Sequence, residues 1–196
     1  MSSWGKLKKL LSNPNFLTMF RIASTPAIVV LLLFPIDDAT VRNRIITFSA
    51  AIIFSAAAIT DYLDGYFART RGLVSNLGKM MDPLADKLLV SCSLIMLVSQ
   101  QWIPGWIACV IIGREIAVTG LRGVIAEGGE DASASLLGKY KTGFQIAAII
   151  PLLLHFEYFG INFHAIGMFF LMCALVMTVW SGADYFIKFR SLLKDD

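Results

Sequence analysis

The sequence predicts an all-α integral membrane protein: six transmembrane helices behind a short N-terminal amphipathic interfacial helix, with both termini cytoplasmic. Three observations carry that expectation. Of 196 residues, 57% are hydrophobic and only 16% charged, against about 25% charged in an average soluble domain. The apolar residues gather in six blocks, near 16–35, 44–67, 82–100, 104–125, 140–156 and 163–187, each approaching the ~20 residues that cross hydrocarbon as a helix. Finally, of 17 Lys and Arg, all except Arg42 and Arg44 fall on one side of a six-span topology. The positive-inside rule makes that side cytoplasmic.

The elements follow in chain order. Within residues 1–13, Trp4, Leu7 and Leu11 share one helical face and Lys6, Lys8 and Lys9 lie mostly off it, the pattern of a helix lying in the interface. A full-length span follows directly, with no small-residue cleavage site, so a cleavable signal peptide is not expected. The outer connections "PIDDATVRN", "QQWIPG" and "HFEYFGIN" are short, with Trp102 and Trp106 placed as interfacial anchors. Cys92, Cys109 and Cys173 fall inside apolar spans, without the spacing of a zinc site. His155 and His164 belong to the last outer connection and are assigned no chemistry. No repeat or linker divides the chain, so residues 1–196 are expected to form one domain.

The inner connection "TDYLDGYFARTRGLVSNLGKMMDPLADKL" holds four carboxylates. Asp61 and Asp64 are three apart and Asp82 and Asp86 four apart, so each pair shares a helical face. Gly72, Ser75, Asn76 and Gly78 between them read as a turn or helix break, bringing two helix ends together. Clustered carboxylates repel and resist ionisation. A hard divalent cation, which prefers oxygen ligands, relieves both costs, and the absence of nearby His or Cys disfavours zinc. Four carboxylates suit two metals clamping a phosphoryl group. Gly65 and Ala68 clear bulk beside them, and Arg69 is placed to meet a phosphate. Two other readings stay open at this level: a solvated loop whose acids pair with Arg69, Arg71, Lys79 and Lys87, and a proton or cation pathway.

The whole pattern, Asp61-x2-Asp64-Gly65-x2-Ala68-Arg69-x8-Gly78-x3-Asp82-x3-Asp86, resembles the signature of the CDP-alcohol phosphotransferases. That resemblance implies six transmembrane helices, a homodimer, two divalent cations (Mg²⁺ or Mn²⁺) and displacement of CMP from a CDP-linked donor by an alcohol. It makes Asp61, Asp64 and Asp82 the principal metal ligands. Asp86 is implied as ligand of the second metal or as general base. Asp61, Gly65, Ala68, Arg69 and Gly78 would line the CDP pocket, which Thr18 and Asn15 are placed to reach from the first span.

For the acceptor, "NPNFLTMFRI", "GREIAVTGLR" and "GKYKT" resemble the phosphatidylglycerophosphate synthase branch of that family. The branch implies CDP-diacylglycerol as donor, glycerol 3-phosphate as acceptor, a bacterial inner membrane and no nucleic-acid partner. Arg114, Arg122, Lys139 and Lys141 form a basic group suited to the acceptor's phosphate, and Glu115, seven residues from Arg122, is placed to steady that guanidinium. Positive-inside charge alone also accounts for these residues. Inositol phosphate, serine or phosphatidylglycerol are alternative acceptors, and a cation transporter or non-catalytic scaffold the alternatives of another class. The polar stretch 126–138 is expected to be a solvated loop or a flap over the acceptor site, and Asp184 a helix-packing residue.

Overall fold

The computed structural model describes residues 14–36, 38–71, 76–127 and 136–192. Side chains within 14–17, 61–71, 76–83, 126–127, 136–137 and 188–192, with those of Asp86 and Lys139, lie outside that description. The expected interfacial helix over 1–13 and residues 128–135 of the proposed flap also fall outside it.

The described chain is mostly helical: α1 Pro14–Leu31, α2 Val41–Arg71, α3 Asn76–Ser99, α4 Gly105–Glu127, α5 Leu136–Leu154 and α6 Phe163–Leu192. Each of the six apolar blocks corresponds to one helix. Two contain stretches long and apolar enough to cross a membrane, Val41–Thr60 in α2 and Phe163–Ile187 in α6. Shorter apolar stretches occupy Thr18–Leu31, Lys87–Ser99 and Tyr140–Leu154.

These helices form two compact units, one reaching Met96 and one beginning at Leu97. In the first, α1 packs on α2, burying Ile28, Leu32 and Ile36 from one side and Ala50, Phe54 and Ala57 from the other. Proline opens α1 at Pro14, where its missing N–H leaves no intrahelical bond unmade. The hydroxyls of Ser24 and Thr25 donate back to the Phe20 and Arg21 carbonyls at 2.7 and 3.2 Å, keeping these polar groups satisfied inside an apolar helix.

In the second unit α6 packs along α5 and against α4. α3 ends in a Schellman motif: the N–H of Trp102 donates to the Leu97 carbonyl at 3.0 Å and that of Gln101 to Val98 at 2.9 Å, with Gln101 in the left-handed region at φ 61°. Trp102 was expected at an interface, but it is buried and stacked on His155, ring centroids 3.9 Å apart. His164 meets His155 edge-on at 5.0 Å. Burial, with His164 beside it, pushes the His155 imidazole down to about 4, so it is neutral at physiological pH. The exposed Trp106 keeps the character expected of an anchor. The connection from α5 to α6 is a small antiparallel hairpin, β1 Glu157–Tyr158 and β2 Ile161–Asn162. Its two turn residues, Phe159 and Gly160, both have positive φ, at 54° and 75°, as a two-residue type I′ turn requires.

Close approach of α5 and α6 depends on Gly167. A Cβ there would lie 2.6 Å from Leu152 Cγ and 2.9 Å from its backbone nitrogen, so relief requires moving α5 itself. Gly167→Ala is therefore expected to destabilise the protein by about 1–3 kcal/mol, the usual cost of overpacking. Thermal unfolding in detergent checks this, and an unchanged midpoint would show that the helices separate freely.

Candidate active site

The backbone places both aspartate pairs on helices. α2 continues past its apolar stretch through Asp61, Asp64, Gly65, Ala68 and Arg69 to Arg71, beyond the limit of 67 expected from hydropathy. It does so because "TDYLDGYFARTR" contains no proline and a single glycine, Gly65. α3 resumes at Asn76, so Gly78, expected in the break, lies in its first turn, and Asp82 and Asp86 follow one and two turns on. Where their carboxylates point lies outside the described side chains. Among the described residues, no three His, Cys, Asp or Glu side chains gather as a metal site. The donor chemistry nonetheless suits a hard cation: oxygen ligands only, spaced three and four apart on helical backbone.

On α1, Thr18 is buried, and Arg21 one turn later is the largest fully buried side chain of the described residues, at 1% exposure. The helix position of Asn15 is fixed. In the sequence Arg21 counts toward the charge asymmetry and falls within "NPNFLTMFRI", with no role of its own. Burying a guanidinium in an apolar helix is costly unless polar groups receive it, and a buried Arg three residues from Thr18 was the available signal.

The second unit holds a polar network described to the atom. Lys141 on α5, whose side chain is 4% exposed, donates from Nζ to Glu115 Oε1 on α4. Arg114 Nη1 approaches the same oxygen at 3.4 Å, and its Nη2 donates to Ser181 Oγ on α6 at 2.9 Å. Gly182 makes room for this: a Cβ there would stand 3.2 Å from Arg114 Cγ. Arg122 Nη2 donates to the Tyr185 hydroxyl, and its guanidinium lies over the Tyr185 ring, 4.8 Å from the centroid. Arg114 reaches the same ring at 5.8 Å. The Nε atoms of both arginines are buried with no hydrogen-bond partner.

The expected basic group is thus brought together for Arg114, Arg122 and Lys141. Lys139 takes its place on α5, its side chain outside the description. The expectation for Glu115 is corrected. It pairs with Lys141 and Arg114, while Arg122 is held by Tyr185. Position along one helix cannot reveal this, since the partners come from α5 and α6. Ser181, Gly182 and Tyr185 were not anticipated as site residues. Asp184 lies beside Tyr185 in the same turn and lines an apolar groove on α6 with Val176, Val179 and Trp180.

A mostly helical, apolar chain with this aspartate spacing and a half-buried arginine pair defines a class, and comparison with known proteins gives it a family. The CDP-alcohol phosphatidyltransferase family pattern matches residues 11–180, and the chain belongs to that family. It is 44% identical over 189 residues to the CDP-diacylglycerol–glycerol-3-phosphate 3-phosphatidyltransferase of Bacillus subtilis (strain 168), covering 92% of this chain and 96% of that protein. Proteins of the same name from Rickettsia typhi and Escherichia coli K12 are 38% and 34% identical. Those alignments cover 88% and 93% of this chain, and 94% and 97% of the respective relatives.

Proposed function

We propose that this enzyme transfers the phosphatidyl group of CDP-diacylglycerol to glycerol 3-phosphate, yielding phosphatidylglycerophosphate and CMP. The family supplies the reaction class, and near full-length relatives bearing that name support the acceptor. The observation that carries the acceptor reading is the charge of the network. Among the described residues, Arg114, Arg122 and Lys141 face one carboxylate, Glu115, a surplus of positive charge in a site with little exposure to water. A phosphate monoester dianion matches that surplus, whereas serine, a zwitterion, and phosphatidylglycerol, a monoanionic diester, do not; between glycerol 3-phosphate and inositol phosphate, both such dianions, the names of the relatives favour the first.

In this reading Asp61, Asp64, Asp82 and Asp86 hold two divalent cations, Mg²⁺ or Mn²⁺. Chain connectivity supports their convergence. Only residues 72–75 separate α2 from α3, a reach of roughly 18 Å at full extension. Asp64 and Asp82 lie seven and six residues from the facing helix ends Arg71 and Asn76, at ~10 and ~9 Å along their helices. When bound, the cations neutralise the pyrophosphate and stabilise charge developing at the transferred phosphorus. Asp86 accepts the proton of the attacking glycerol hydroxyl, the new P–O bond forms, and the bond to CMP breaks. Asn15, Thr18, Asp61, Gly65, Ala68, Arg69 and Gly78 line the CDP pocket. Arg114, Arg122, Lys139 and Lys141 receive the acceptor phosphate, so positioning supplies much of the rate.

All six helices are proposed to cross the bacterial inner membrane, with both termini and the active site cytoplasmic. Residues 1–196 are proposed as a single domain, in a homodimer with an interfacial helix over 1–13. α4 carries Arg114, Glu115 and Arg122 in its span, and the cross-helix partners of these groups make that tolerable, since intramembrane charges face a bundle interior and pair there. The test is CMP release by purified protein in detergent, with CDP-diacylglycerol and Mg²⁺ and with glycerol 3-phosphate, inositol phosphate, serine or phosphatidylglycerol as acceptor. Release with glycerol 3-phosphate alone, abolished by EDTA, is expected. Release with another acceptor overturns the acceptor assignment, and EDTA-insensitive release overturns the metal site.

A further inference from the structure

We propose that Tyr185 is a positioning residue that holds Arg114 and Arg122 as a paired receptor for one phosphate monoester. The inference rests on the acceptor reading above and adds a residue beyond the segment matched by the family pattern, which ends at residue 180. It begins with the contrast between the cations of the network. Lys141 is neutralised by Glu115. The arginines are anchored chiefly by neutral groups, Arg114 by Ser181 Oγ at 2.9 Å and Arg122 by the Tyr185 hydroxyl. Glu115 reaches Arg114 only at 3.4 Å. Neutral anchors fix geometry without cancelling charge, so both guanidiniums keep their attraction for an incoming anion.

Two like charges held this close repel, and something must keep them from splaying. The Tyr185 ring lies within cation–π range of both guanidiniums, 4.8 Å from Arg122 and 5.8 Å from Arg114. Ser181 and Tyr185 are four apart on α6, so both anchors project from one helix face, and Gly182 between them clears the path of the Arg114 side chain. Each arginine still has a buried Nε without an acceptor, a donor that a phosphate oxygen can satisfy. Tyr185 acts through the arginines rather than on the reacting atoms.

The experiment uses the full chain in detergent, varying each substrate in turn, with Tyr185→Phe, Arg122→Ala and the double variant. Tyr185→Phe keeps the ring and removes the hydroxyl. It is expected to raise the glycerol 3-phosphate KM about tenfold, the scale of a hydrogen bond to a charged group. kcat should stay within about twofold and the CDP-diacylglycerol KM unchanged, because neither chemistry nor donor contact is touched. In the Arg122→Ala background the same change should add almost nothing, since the partner it orients is gone. Tyr185→Leu, lacking the ring as well, should raise that KM further. An unchanged acceptor KM in Tyr185→Phe while Arg122→Ala raises it overturns the role of Tyr185 and leaves the acceptor pocket standing. An unchanged KM in Arg122→Ala overturns the pocket and the inference with it. A fall in kcat with both KM values raised in Tyr185→Phe marks a general structural role and also overturns the proposal.

Discussion

Asp86→Asn should lower turnover by about 10²–10⁴-fold, the range that general-base catalysis supplies, while CDP-diacylglycerol binding largely survives. The substitution keeps size and hydrogen-bonding capacity but removes the charge and the basic lone pair. If Asp86 takes the proton from the attacking hydroxyl, its amide cannot. In the proposed site Asp61, Asp64 and Asp82 would remain to hold a cation against the donor's pyrophosphate, so the donor should still bind. Turnover by CMP release and donor binding by equilibrium titration separate these effects. Near-normal turnover would remove Asp86 from the chemistry. Loss of donor binding together with activity would make it a ligand essential to the donor site. The helical position of Asp86, one turn beyond Asp82 on α3, is compatible with either role, which is why both readouts are needed.

The second large effect is expected at the acceptor side. Arg122→Ala removes a guanidinium that lies over Tyr185 and carries an unsatisfied buried Nε. The glycerol 3-phosphate KM should rise about 10- to 100-fold, from the loss of charge-assisted hydrogen bonds, with the donor KM little changed. A donor effect without an acceptor effect would place Arg122 against the CDP moiety. Because Arg122 interacts with Tyr185 and not with Glu115, its removal leaves the Lys141–Glu115 pair intact. The variant should therefore fold with only modest loss of stability, whereas Glu115→Ala would take the Glu115 carboxylate away from the 4% exposed Lys141 side chain, a change of the costly kind.

Much of the molecule was legible along the chain. Helix type and order follow from six apolar blocks, because apolar runs of this length favour helix over strand. The helical placement of both carboxylate pairs follows from spacings of three and four residues, a local property that the backbone of α2 and α3 bears out. Boundaries were less legible where hydropathy and helix propensity diverge. α2 runs on to Arg71 because "YFARTR" favours helix although it is no longer apolar. The small hairpin was missed because its turn is Phe159-Gly160, lacking the Asn-Gly or Asp-Gly signal usual for two residues at positive φ.

The sequence by itself determined a mostly α-helical chain, the family signature of four aspartates, and the group of basic residues proposed to receive a phosphate. Each is a matter of composition or of spacing within one or two turns. Tertiary structure alone decided who holds whom: Glu115 with Lys141, Arg114 with Ser181, Arg122 with Tyr185, and Gly182 as the space that Arg114 fills. The arginine anchors lie 67 and 63 residues away in the chain, joined through the packing of α6 against α4. Helical periodicity sets which residues share a face, but the rotation and register of packed helices choose the partner, and those depend on side chains such as Leu152 meeting Gly167 on α6.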